Sequence, residues 1–136
     1  MKARRLARQL ALQVLYEVDV AQHNPANVFE QRLQEYLELA DDPVDFAFGI
    51  VRGVLQSQPE LDKIIEKIAT EWPVDQMALI DRNILRMALF ELREGDAPVK
   101  VVINEAVELA KTFGSDSSRR FVNGALGAYV SRRHEL

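Results

Sequence analysis

Residues 102–124 read VINEAVELAKTFGSDSSRRFVNG, and their spacing decides the fold. Ile103, Ala106, Val107 and Ala110 recur at helical intervals, Gly114 supplies a stop, and Phe121, Val122, Ala125, Leu126 and Tyr129 take up the period again. The stretch is therefore two helices joined by a tight turn. The second opens with Arg119 and Arg120, in a place where local energetics favour acids, because a helix N-terminus carries a partial positive charge. An anion held at that helix end is the natural reason for arginines there.

The same period runs outward through most of the chain, and strand alternation is nearly absent. A first helix is predicted over 3–22, where Leu6, Leu10, Val14 and Val18 repeat every four residues and Asn24-Pro25 ends the run. A second, 26–39, buries Phe29, Leu33, Tyr36 and Leu37. Asp42-Pro43 opens a third, with Asp42 as cap, and Pro59 restarts a fourth carrying Leu61, Ile64, Ile65 and Ile68. Trp72-Pro73 breaks the pattern. A fifth helix, 75–93, is apolar over a wide arc and ends at Gly95. Residues 99–103, VKVVI, are the one strand-like run, and without a partner strand they are read as an extended lead-in to a sixth helix, 103–113. A seventh spans 117–131, with Ser115 or Asp116 as its cap. The expectation is one all-α domain over 1–136. It has about seven helices in two packed small helical bundles, with sub-lobes of about 1–72 and 73–136.

The chain has 136 residues, no cysteine, and a net charge of −4. Disulfides and thiolate metal sites are thereby excluded. No secretory leader is evident at the start, and no apolar run approaches the roughly 20 residues that span a bilayer. A cytoplasmic protein is expected, with no cofactor. The acidic balance argues against a nucleic-acid partner until its distribution is read. Residues 1–16 hold Lys2, Arg4, Arg5 and Arg8 and no acid. Residues 17–45 hold one base against eight acids, and residues 111–133 hold Lys111, Arg119, Arg120, Arg132 and Arg133 against Asp116. Two basic segments flank an acidic middle, and a fold that joined them would make one basic patch.

Arg4 and Arg8 lie one turn apart, on a face opposite Leu6, Leu10 and Val14. Four cations without an acid in the first two turns cost roughly a few tenths of a kcal/mol each, which a phosphate backbone would offset. At the other end, Ser117, Arg119 and Arg120 surround the free amides of a helix start, and arginine forks suit phosphate or a guanine edge. Phe121 falls in phase with the core, yet its face could also stack a base, and both readings stand. Gly124, after Asn123, weakens its helix by roughly 1 kcal/mol and suggests close helix packing or a ligand near the backbone. Asp81-Arg82 reads as a local ion pair, or else as a contact for a partner protein. His23 and His134, the only histidines, have no acid at triad or ligand spacing, and no glycine-rich phosphate loop occurs. No enzyme is expected.

RRLARQLALQVLYEVD (4–19), DRNILRMALFEL (81–92), KVVINEAVELAKTFG (100–114) and SSRRFVNGALG (117–127), in this order and spacing, resemble the NusB family of bacterial transcription antitermination factors. The resemblance covers essentially the whole length. It implies an all-helical fold of two small bundles and binding of the single-stranded boxA element of nascent ribosomal RNA transcripts. It further implies a heterodimer with the ribosomal protein also called NusE, and a complex with NusA, NusG and RNA polymerase that suppresses premature termination. By position it assigns Arg4, Arg5, Arg8, Ser117, Arg119, Arg120 and Phe121 to RNA, and Tyr16 and Asp81 to NusE. Residue 117 is Ser, where an acidic residue can occur in the family, and the opening arginine run is shorter than in some members.

A different class of function is a helical protein-interaction module with little RNA affinity, perhaps homodimeric, motivated by the acidic charge and the apolar fifth helix. NusB-like domains also precede ribosomal RNA cytosine methyltransferases, but these 136 residues carry neither a nucleotide-fold motif nor a cysteine nucleophile.

Overall fold

The four-residue apolar period of the opening segment builds helix α1, Lys2–Ala21. In the computed structural model, which describes residues 2–70 and 73–136, α1 is followed by α2 (Pro25–Leu33), α3 (Asp41–Ile68), α4 (Leu79–Glu94), α5 (Val99–Phe113) and α6 (Ser118–Arg132). Two 3-10 turns, Val74–Gln76 and Arg133–Glu135, complete the regular structure, and no strand forms among the described residues. None of these helices is long and apolar enough to cross a membrane.

Six helices replace the expected seven because α3 runs through Pro59. Proline removes one backbone bond and crowds the preceding turn. Here the buried stripe keeps phase across it, with Val51 and Val54 before and Leu61, Ile65 and Ile68 after, so burial carries the helix over the defect. Residues 99–103 are likewise helical rather than extended. Val102, Ala106, Leu109 and Ala110 form the buried face of α5, and that burial outweighs the modest helix penalty of β-branched residues.

The chain divides into two compact units, residues 1–56 and 57–136. The division falls inside α3 rather than at Trp72-Pro73; Trp72 itself lies outside the described residues. A proline marks a local break, whereas membership of a unit follows what each segment packs against.

In the first unit α1 packs on α2. Gln22, with φ of 56°, turns the chain out of α1, and Asn24 caps α2, its Oδ1 accepting from the amides of Ala26 and Asn27 at 3.0 and 3.2 Å. The second helix stops at Leu33, earlier than predicted, and Leu37 is 78% exposed instead of buried. Phe29 meets Phe48 edge to face, with centroids 5.4 Å apart. Tyr36 is buried and donates its hydroxyl to Gln13 Oε1. Burial, reinforced by the Glu35 charge, raises its phenol pKa above the ordinary 10.0. Because the folded value is raised, Tyr36 contributes its full stability below pH 10.0 and loses it as pH climbs through the folded value. Tyr36→Phe should cost about 1 kcal/mol in urea unfolding at neutral pH and flatten the alkaline decline above pH 10.

In the second unit α4, α5 and α6 pack on one another. The last part of α3 joins them through Asp62, which receives Arg86 of α4, and through Lys67, whose carbonyl accepts from Arg132 of α6 at 3.3 Å. Ile84, Leu85, Leu89, Val122 and Leu126 form the centre. Gly95 closes α4 with its amide on Glu91 O at 2.9 Å.

Candidate nucleic-acid interface

The junction between α5 and α6 positions the second arginine cluster. At Gly114 the backbone φ is −92°, which any residue can adopt, so the glycine is required for space. A Cβ there would sit 2.4 Å from Ser118 Oγ and 2.8 Å from the carbonyl oxygen of Ala110. The Ser118 side chain fills that space, is 1% exposed, and reaches back to accept from the amide of Ser115 at 2.9 Å. The expected cap at Ser115 or Asp116 is thus replaced by a reach-back bond from inside the helix, and Ser117, which precedes it, makes no side-chain cap. No acid occupies the first turn of α6, while Ser117, Arg119 and Arg120 are exposed on it.

A cleft of about 680 Å³ opens beside this helix start. Ser117, which precedes α6, and Arg120, Phe121 and Gly124 of α6 line it together with Met77 and Asp81. Phe121 is half-buried and belongs to the wall of this cleft rather than to the buried core, which the periodicity had left open. Arg119 is exposed but does not line it. Asp81 does not form the expected local ion pair. Its Oδ1 is buried with no hydrogen-bond partner among the described residues, and Arg82 donates to the Val74 carbonyl at 3.2 Å. The phase of Asp81 was the missed signal, since Ile84 and Leu85 follow it by three and four residues on the buried side of α4. At Gly124 a Cβ would meet nothing within 4 Å, so close helix packing does not account for this glycine.

The first arginine cluster stands on α1, in the other unit. Arg4 lies with its guanidinium carbon 4.1 Å from the centroid of Phe46, and Arg8 lies 5.1 Å from the same ring. Guanidinium over a ring face is an attractive arrangement that also fixes both side chains. Arg8 is only 3% exposed, because α1 is buried nearly all round between Ala7 and Leu15 rather than along one stripe. Arg5 is exposed and Arg4 half-buried. Phe46 carried no functional signal in the sequence, its spacing matching only the core period. Tyr16 on α1 is 38% exposed, while Asp81 on α4 is 8% exposed, so the two residues assigned to one partner differ in access.

A second feature absent from the sequence reading is the Arg86 site. Arg86, 3% exposed, forks onto Asp62 with Nε to Oδ1 at 2.8 Å and Nη2 to Oδ2 at 2.9 Å. Its Nη1 donates to Asn83 Oδ1 at 3.3 Å, and Asn83 Nδ2 donates to the Leu79 carbonyl. Satisfied in this way, the pair ties α3 to α4 and has no need of a ligand.

Comparison with known proteins places this architecture. The model of the NusB family matches residues 5–131. Transcription antitermination protein NusB of Dehalococcoides mccartyi (strain CBDB1) is 48% identical over 127 residues, 93% of this chain and 88% of that protein. Its counterpart in Roseiflexus sp. (strain RS-1) is 48% identical over 135 residues, 97% and 94% of the two chains. Among solved structures, a chain of the complex of antitermination factors NusB and NusE with double-stranded RNA superposes with a TM-score of 0.86 at 29% identity, covering 96% of this chain and 98% of that one. The solution structure of NusB from Aquifex aeolicus gives 0.82 at 30% identity, over 99% and 93%.

Proposed function

The chain belongs to the NusB family of antitermination factors, and we propose that it binds the boxA element of nascent ribosomal RNA transcripts together with the ribosomal protein NusE. In this reading it joins NusA, NusG and RNA polymerase in the cytoplasm and suppresses premature termination by binding alone, without catalysis. The observation that carries the reading is the start of α6, where exposed arginines, an acid-free first turn and an aromatic ring share one helix end beside a cleft. Phosphate on Arg119 and Arg120 with a base against Phe121 is the chemistry such a helix end suits. Arg4 and Arg5 add a second group of cations on α1, while Arg8, 3% exposed, lies against the same Phe46 ring as Arg4. The NusB relative solved with NusE and RNA supports both partners. Exposed Tyr16 and Val20, 38% and 52% accessible on α1, give NusE an apolar contact.

Filter binding of boxA RNA across a salt series tests the proposal. With roughly three to five phosphate contacts, log K should fall against log salt with a slope of about −2 to −3.5. Arg119→Ala or Arg5→Ala should weaken binding several-fold with an unchanged melting temperature, a scrambled boxA should bind less, and purified NusE should tighten the wild-type RNA alone. A flat salt response would overturn the RNA reading. Exposed Leu37 and Phe48, at 78% and 44%, favour a protein-interaction module as the second reading, and light scattering showing a dimer with no RNA affinity would establish it.

A further inference from the structure

Two arginines of α1 meet one aromatic ring, and the RNA reading gives that ring no task. Phe46 lies on α3 beside the buried stripe of Ala47, Ile50, Val51 and Val54, and is itself half-buried. An aliphatic side chain would serve the edge of a core equally well. The ring instead lies under the guanidinium of Arg4, 4.1 Å from its centroid, with that of Arg8 at 5.1 Å. All three residues belong to the first compact unit, so the arrangement needs nothing from the second.

Two effects oppose this arrangement. Cations four residues apart on a helix repel each other, and both stand in the first two turns, where the helix dipole disfavours them. No acid occupies the first turn of α1. The electron-rich face of the ring offsets part of that cost. It also restricts a long side chain before any ligand arrives, which lowers the entropy lost on binding. Stacking engages the face of a guanidinium, whereas phosphate is bound through its in-plane N–H groups, so one side chain can make both contacts. Access separates the two arginines. Arg4 is half-buried and Arg8 is 3% exposed, so a phosphate arriving from solvent meets Arg4.

We propose that Phe46 is a positioning residue for RNA binding: its ring holds the Arg4 guanidinium in the orientation that receives a backbone phosphate, while Arg8 packs against the same ring from within the fold. The inference rests on the RNA-binding reading and adds to it a residue with neither charge nor polar group. It also divides the α1 cations by role. Arg4 and Arg5 take phosphate, and Arg8 supports the ring.

Anisotropy titrations of labelled boxA RNA with the full chain test it, after replacement of Phe46 by pentafluorophenylalanine. Fluorine withdraws electron density from the ring face and leaves the size of the ring nearly unchanged, so a packing role would not register it. Binding should weaken about two- to fivefold. Phe46→Leu should weaken it similarly, and Phe46→Tyr, which keeps the ring, should restore most of the affinity. The fluorinated and leucine proteins should keep the wild-type salt slope, because no phosphate contact is deleted, whereas Arg4→Ala should reduce the slope by about 0.7. In the Arg4→Ala background the fluorinated ring should cost nothing further, and in the Arg5→Ala background it should cost its full factor. Melting curves separate loss of fold from loss of binding, and the fluorinated protein carries the test should Phe46→Leu fail to fold. Wild-type affinity of the fluorinated protein, or an equal loss with and without Arg4, would overturn the positioning role while leaving salt-dependent RNA binding standing. Absence of salt-dependent binding by the wild-type chain would remove the RNA reading and this inference together.

Discussion

Asp62→Ala should lower the unfolding free energy by about 3 kcal/mol, a shift of more than a hundredfold in the folding equilibrium. The change deletes both carboxylate acceptors of the Arg86 fork, at 2.8 and 2.9 Å. Arginine cannot escape by losing its proton, so a guanidinium 3% exposed stays charged with its carboxylate gone. Asp62 is itself 27% exposed, which places the effect at the lower end of the range for a broken buried pair. Against a total stability of roughly 5–15 kcal/mol the loss is large. Urea denaturation measures it directly. Pairing the change with Arg86→Met should recover part of the loss, because an apolar side chain removes the guanidinium that has lost its carboxylate. A loss under about 1 kcal/mol for Asp62→Ala would show that the fork does not hold α3 to α4.

Gly114→Ala is the second large effect, about 2–4 kcal/mol, and it reaches the proposed RNA site as well as the fold. The new methyl would lie 2.4 Å from Ser118 Oγ and 2.8 Å from the backbone oxygen of Ala110. Ser118 can yield only by giving up its bond to the Ser115 amide, and the Ala110 carbonyl, buried in α5, cannot move without the helix. The first turn of α6 should therefore shift, carrying Arg120 and Phe121 with it. Thermal melting should show the lost stability, and anisotropy on residual folded protein at low temperature should show weakened RNA binding. Gly127→Ala is the control, since a Cβ there meets nothing within 4 Å. It should leave the stability equal or higher. Equal behaviour of the two variants would mean that the α5–α6 junction has slack that these distances deny.

Much of the fold was legible in the residues, and the misses have definite causes. The stop at Gly114 and the start of the last helix were both visible, because they depend on a few adjacent residues. Pro59 and the run 99–103 were misread because each is a local signal overruled by distant burial, of Leu61 and Ile65 in one case and Val102 and Ala106 in the other. The candidate site divides in the same way. Arg119 and Arg120 announced themselves by standing at the wrong end of a helix dipole. The burial of Arg8 and Asp81 did not, although Asp81 sits in phase with Ile84 and Leu85. A charged residue in an apolar stripe is read as polar until the neighbours that cover it are known.

What the sequence determined by itself is the all-helical class, the two basic segments with an acidic stretch between them, and the family resemblance, since period, charge and motif order are properties of neighbouring residues. Tertiary structure alone decided that Asp62 and Arg86, 24 residues apart, close on each other, that Arg4 and Arg8 rest on Phe46, and that Asp81 ends in a cleft with Arg120 and Phe121. The physical reason is that hydrogen-bonded period is written turn by turn along the chain, whereas burial, and with it the value of every charge, depends on which distant segment arrives to exclude the water.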